Sequence, residues 1–556
     1  MIDKAATSNR LAKIDADYQL VIIGGGIYGA TLCWEAAHRG IKTLLVEQED
    51  YACGASSNSL KTIHGGLRAL QSFNLWAVVK GIRERSVLLR IAPNYVSTLP
   101  CILPTTQSLM KSRPIVGIGL LLYNCLVRFS LLFTGNRKAS PKSRLLSRIQ
   151  FLQRAPGVNP EGLTGGALWF DAQVRNTERL VWLFIQSAIR KGAIAINHSA
   201  AVRLTKENHN SKHVVLIRDQ ITGFEKTVTT ASVIDCSAAW NFIRHCLPAN
   251  KHEEKLTFLK SVNIIVKKNI FETAIGISSR STQGKNSRLY FFSPWRNCTM
   301  IGTWYSTAET HPEKTFTLEE ANTCVNEINT IFDEKLIGVD DICNVHIGYL
   351  PATASQHSCA AGLDKHLLST YQLKHWSGQP GMDNVYSLRG TKYTLARHDA
   401  KNVIDEISKT MGWAVTGSQS NRLPVFQAAT APTHTHALPN SIVNRLLIDY
   451  GADITQIFSH IENNPKSAEV IPGTKDHIVA EIHYAISNEQ ALTLSDLLKR
   501  RLDTGDRAPP SNQTAEYCAR VMQEILSWSD EFREIQVTEL FVSYPEFLMR
   551  NPSKPN

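Results

Sequence analysis

At 556 residues the chain is too long for one hydrophobic core, and 43% apolar with 20% charged residues excludes a disordered protein. A net charge of +11 suits an anionic substrate or an acidic membrane surface; without zinc-finger spacing or interleaved aromatic and basic residues, no nucleic acid partner is expected. Eleven cysteines with no C-x-x-C pair read as reduced thiols in a cytoplasmic setting, and no metal site is expected.

Residues 1–17 read as a short polar leader without the apolar core of a secretory signal. Residues 18–47, YQLVIIGGGIYGATLCWEAAHRGIKTLLVE, then run from an apolar strand through Gly24, Gly26 and Gly29 into a helix and a second strand ending at Glu47. Gly24 permits a tight turn, Gly26 lets backbone approach a pyrophosphate, and Gly29 lets helix and strand pack closely. Ile27 opens the helix, whose N-terminus presents free N–H groups and a positive dipole end to phosphate. Glu47 lies 18 residues past Gly29, where an acid bonds ribose hydroxyls. The unit predicts dinucleotide binding of the flavin type.

Residues 115–133, IVGIGLLLYNCLVRFSLLF, have the length of a membrane span, but Asn124 and Arg128 are costly in hydrocarbon. The pattern predicts a half-buried helix. Nine basic residues and no acidic one lie between Lys111 and Arg154, a pattern that suits an anionic leaflet or a solvated charged face. Downstream, a helix is expected over Thr177 to Lys191 and a strand over Ala193 to Ala200. Alternating β-rich pieces with one helix, Leu318 to Phe332, fill 256–350. Strand and then helix return over 384–412. A linker rich in Thr, Pro, Ala and Ser is expected at 413–438, and a helical domain at 439–556, with helices over Thr474 to Ala485 and Glu489 to Lys499.

Residues 50–70, DYACGASSNSLKTIHGGLRAL, decide among flavin folds. With the glycine fingerprint they resemble the FAD-dependent glycerol-3-phosphate dehydrogenases, within the D-amino-acid-oxidase-like superfamily. CSAAW (Cys236 to Trp240), SPW (Ser293 to Trp295), IGT (Ile301 to Thr303), RGTKYTLAR (Arg389 to Arg397) and the Glu481 to Arg501 stretch extend the resemblance over nearly the whole chain. It implies an α/β fold with a helical domain: a Rossmann-like FAD-binding domain, an antiparallel-sheet substrate domain and an all-α C-terminal domain. The flavin parts are expected at about 18–104, 162–240 and 384–412, and the substrate parts at about 105–161 and 241–383. It also implies FAD, a hydroxylated small-molecule substrate, a quinone acceptor and peripheral attachment to the inner face of the cytoplasmic membrane.

Carried over residue by residue, the resemblance implies cofactor contacts at Ser56, Ser57, Lys61, His64, Gly65, Gly66, Val202, Ser237, Trp240, Gly390, Thr391, Lys392 and Thr394. Alcohol oxidation by hydride transfer needs a proton acceptor and positive charge near the developing alkoxide. His64 is the expected base or orienter. Arg68, Lys392 and Arg397 are the expected cations. The pattern breaks at the substrate: Leu350 stands where the family has a phosphate-binding arginine, and Asn263 where it has a histidine. Oxidation of glycerol 3-phosphate to dihydroxyacetone phosphate is therefore the first candidate. Oxidation of another polyol or an amine, and FAD binding without turnover, stay open beside it.

Overall fold

The computed structural model describes residues 10–67, 74–134, 141–207, 211–238, 242–247, 257–280, 287–307, 315–353, 366–430, 435–436 and 438–549. Strand β1 (Asp17–Ile23) is apolar on both faces, as a parallel strand covered by helices must be. It pairs in parallel with β2 (Thr43–Val46) on one side and with Glu225–Asp235 on the other. β2 continues to Ile194–Ile196, and Glu225–Asp235 to Val385–Arg389, both in parallel. Antiparallel strands Gln372–His375, His213–Asp219 and Ser199–Lys206 complete this first sheet. Chain order reverses beside β1, so a crevice opens at the carboxyl ends of these strands, where such sheets take ligands. Helix α1 (Ile27–His38) leaves that crevice and is buried along nearly its whole length, packed with Thr177–Ile189 and Ala396–Met411.

The second sheet is mostly antiparallel and runs from Ile342–Ala352 at one edge to Thr62–Ile63 at the other. Strands Val96–Thr106 and Leu163–Val174 belong to it and pair with each other antiparallel. Helix α2 (Leu75–Ile91), capped by Asn74 accepting the Ala77 N–H at 3.0 Å, packs beside α3 (Arg113–Thr134). On α3, Leu120, Tyr123 and Val127 are buried while Ile118, Leu121 and Phe129 are exposed, the one-sided burial of a surface helix. No helix among the described residues is long and apolar enough to cross a membrane.

Residues 413–430 are more than a linker: Val425 donates its N–H to Ile91 O at 3.0 Å, and Val425 and Phe426 join the first core. Two expected C-terminal helices shift. Val479–Glu489 starts late, because Glu481 accepts the Ile478 N–H (2.8 Å), and ends where Gln490 turns left-handed at φ 56°. The helical domain is clamped to the body by buried charge: Asp50 accepts from Arg501 at 2.8 and 2.9 Å, and Asp496 meets His198 at 2.8 Å. Asp50, His198 and Asp496 cluster closely enough for a metal ion, but Arg500 and Arg501 already bind the carboxylates and repel a cation.

Candidate functional site

The crevice is the deep end of a cavity of about 2580 Å³. Its floor is the β1–α1 turn. Gly24 has φ +103°, and a methyl on it would press the Cys236 carbonyl at 2.9 Å. A methyl on Gly29 would overlap the Gly24 carbonyl oxygen. The Ile27 N–H donates to Ser56 Oγ at 2.9 Å, and a Cβ on Gly26 would lie 3.1 Å from the same oxygen. Glu47 lines the cavity and accepts the Gly25 N–H (2.5 Å) and the Glu49 N–H (2.8 Å). Burial pushes its carboxyl up to about 7, against the pull of those two donors.

The facing wall is Gly390 to Thr394. A methyl on Gly390 would overlap the ring of Tyr28, whose hydroxyl donates to Asp399 at 3.2 Å. Thr391 Oγ1 donates to Leu368 O at 2.6 Å. Lys392 faces the cavity, and burial together with Lys80 pulls its pKa down against the attraction of Asp399. Val202, Ser237 and Thr394 line the space between. The Ser237 N–H and hydroxyl are both held by Asp235, at 2.8 and 2.5 Å.

His64 follows the edge strand Thr62–Ile63 of the second sheet and lines the cavity, with Nδ1 3.2 Å from Asp171 Oδ2. Asp171 is buried and takes the Gly65 N–H at 2.7 Å. Burial disfavours its charge, but the hydrogen bond and charge of His64, with Arg85 nearby, hold its pKa below the usual carboxylate value. Sequence reading passed over Asp171. The one signal was an acid inside the apolar strand GALWFDAQV.

The sequence matches the family described as FAD dependent oxidoreductase over residues 19–370, and the C-terminal domain of alpha-glycerophosphate oxidase over 408–533. The chain belongs to the FAD-dependent oxidoreductases. It is 28% identical to a glycerol-3-phosphate dehydrogenase of Synechocystis sp. over 87% of this chain and 88% of that one. It is 26% identical to an aerobic glycerol-3-phosphate dehydrogenase of Staphylococcus aureus, over 87% and 86%. The fold superposes on the glycerol-3-phosphate dehydrogenase of Bacillus halodurans complexed with FAD with a TM-score of 0.71, at 19% identity and covering 96% and 95% of the two chains.

As an FAD-dependent oxidoreductase the chain has a cofactor site that fits the group. The glycine turn leaves room only for backbone, a helix N-terminus faces the cavity, and an acid sits where ribose hydroxyls would donate. Four expected contacts lie elsewhere. Lys61 is buried against Glu178 (2.9 Å) and Asp506 (3.1 Å), because a desolvated ammonium needs anions around it. Arg397 does not line the cavity; it is buried and grips Glu84 through two bonds, at 2.6 and 2.8 Å, with Ser420 at 2.7 Å. Ser57 supplies its carbonyl to Lys61, and Gly65 is packed where a methyl would press Tyr123, Arg85 and Asp171. These four hold the loop and the helix rather than line the site. Gly66 does line it, at φ +82° against α2. Arg68 and Trp240 lie outside the described residues.

Away from that cofactor cradle the cavity wall carries both apolar and charged residues, Arg280 and Arg288 among them. Leu350 lines it, Asn263 Oδ1 accepts from Thr303 at 3.0 Å, and Ser261 donates to Gly348 O at 2.9 Å. Arg288 reaches the same wall but is engaged by Glu327 (3.3 Å) and the Tyr305 carbonyl (3.2 Å).

Proposed function

We propose that this FAD-dependent oxidoreductase is a dehydrogenase of secondary alcohols, with glycerol 3-phosphate as the first donor to test and quinone as the acceptor. The observation that carries the reading is the His64–Asp171 pair in the same cavity as the cofactor cradle. When bound, FAD supplies the hydride acceptor. Gly24, Gly26, Ile27 and Ser56 would hold its pyrophosphate, Glu47 its ribose, and Gly390 to Lys392 with Thr394 its ring. With Nδ1–H donated to Asp171, His64 keeps Nε2 as the lone pair that takes the hydroxyl proton. Lys392 supplies positive charge to the alkoxide as it forms.

The exposed apolar face of α3 supports seating on an anionic membrane surface, with Lys111, Arg128, Lys142, Arg144 and Arg148 exposed around it. Co-sedimentation with anionic liposomes, weakening as salt is raised, is the expected result; indifference to lipid charge would end that part. For the chemistry, anaerobic mixing with glycerol 3-phosphate or glycerol should bleach the oxidised flavin. A yellow protein that neither compound bleaches would remove glycerol-type donors from the reading.

A further inference from the structure

We infer that the electron donor carries a long apolar tail, and that a corridor running from His64 to the outer face of α3 holds it. This rests on the proposed alcohol oxidation and names its substrate class. The His64 ring packs edge-on against Phe291 at 5.7 Å, and Phe291 against Trp169 at 6.4 Å. Leu103, Val116 and Leu120 gather on these two rings in one apolar cluster. All six residues line the cavity, and so do Gly119 and Ile118 on α3 and Trp76 on α2. There it meets the surface, with Trp76 84% and Ile118 68% exposed.

Three points favour a tailed donor. The cavity of about 2580 Å³ exceeds what a cofactor and a three-carbon alcohol need, since single ligand sites span roughly 300–1,000 Å³. Leu350 offers a small phosphate no donor at the head end. The corridor begins at the proposed proton acceptor, so a tail lying in it is continuous with the reacting alcohol. The fitting compound is a glycerol-like secondary alcohol with an alkyl or acyl chain on one primary oxygen. Its carbinol carbon loses hydride to the flavin and its hydroxyl proton to His64, leaving a ketone. The same apolar patch at the corridor mouth would draw such an amphiphile from a lipid surface.

The test is anaerobic flavin reduction in the FAD-loaded enzyme, without acceptor, by 1-O-alkylglycerols and their 3-phosphates from butyl to decyl, below their micelle concentrations. Calorimetric binding of 1-O-decylglycerol to the oxidised enzyme accompanies it. Each buried methylene should raise kcat/KM about fourfold until the corridor is full, mostly through KM. Binding should show a negative heat-capacity change. Gly119→Trp should flatten the decyl-to-butyl ratio, because a side chain there starts in open space and fills the corridor. Ile118→Asp, at an exposed position that folding tolerates, should lower the same ratio. Rates independent of chain length overturn the inference. So does a tail dependence seen only when tailed and tail-less quinones reoxidise the enzyme, which would give the corridor to the acceptor. Decylglycerol binding that Gly119→Trp abolishes, with no reduction by any donor, supports the tail site and removes the alcohol oxidation instead.

Discussion

At the cofactor end of the cavity a methyl on Gly29 or Gly390 would strike backbone or the fixed ring of Tyr28, whereas at the proposed donor end the wall is made of side chains, Leu350, Leu103 and Phe291 among them. The contrast follows from what each end must meet. A pyrophosphate is met by backbone N–H groups, so the turn that presents them leaves no room for side chains. A donor is met by side chains standing on a sheet, and these can be exchanged while the strands keep their pairing. Specificity can therefore change at one end while the cofactor site stays the same. Four substitutions test that division.

His64→Gln should have the largest effect. It keeps a hydrogen bond to Asp171 and removes the proton acceptor, so anaerobic flavin reduction should fall by about 10²–10⁴-fold with FAD still bound. Equal loss of FAD would instead place His64 with the cofactor end. Arg397→Met should leave the rate per folded molecule unchanged and lower unfolding stability by about 3–5 kcal/mol, because it strands the buried Glu84 carboxylate. A large loss of rate without loss of stability in urea titrations would return Arg397 to the site.

The third test uses pH. Glu47 holds its proton in the folded chain up to about 7, against an ordinary value of 4.5. Below pH 4.5 both folded and unfolded chains are protonated there, so the group is neutral to stability. Between 4.5 and 7 the unfolded chain has lost the proton and the folded chain keeps it, so stability falls as pH rises. Relative to Glu47→Gln, FAD-free protein should lose about 3 kcal/mol across that window and no more above it. Loading FAD should shrink the fall, since ribose hydroxyls donate to the ionised form. A pH profile that FAD leaves unaltered would separate Glu47 from the ribose.

The same division governs what the sequence discloses. Gly24, Gly26, Gly29 and Glu47 were legible because their job is local: spacing alone sets a turn, a helix start and an acid at the next strand end. Lys392 and Arg397 lie five residues apart in one motif, yet one lines the cavity and the other is buried in a salt bridge with Glu84, more than 300 residues away in sequence. Lys61 is turned inward in the same way by Glu178 and Asp506. Asp171 gave little signal, since only the fold brings it to His64. The C-terminal helices were misjudged at their ends because Gln490 adopts a left-handed backbone that its residue type does not announce. That the strands at 96–106 and 163–174 pair with each other in the second sheet gave no local signal, because pairing partners, not local pattern, assign a strand to its sheet.

Leu350→Arg has the smallest expected effect and tests the donor end most directly. Leu350 stands opposite Leu259 in the strand register and faces the cavity, so an arginine there can extend into space without disturbing a strand pair. A charged hydrogen bond is worth about 1.5–3 kcal/mol, which corresponds to roughly 10- to 100-fold in affinity. The variant should therefore lower the KM for glycerol 3-phosphate by that factor and leave the KM for glycerol unchanged, with FAD content equal to wild type. Improvement of both donors would mean that the new cation acts on the alkoxide rather than on phosphate. No change for either would mean that phosphate does not reach this wall, and that a donor recognised through Phe291 and Leu103 rather than through charge is the one the cavity is shaped for.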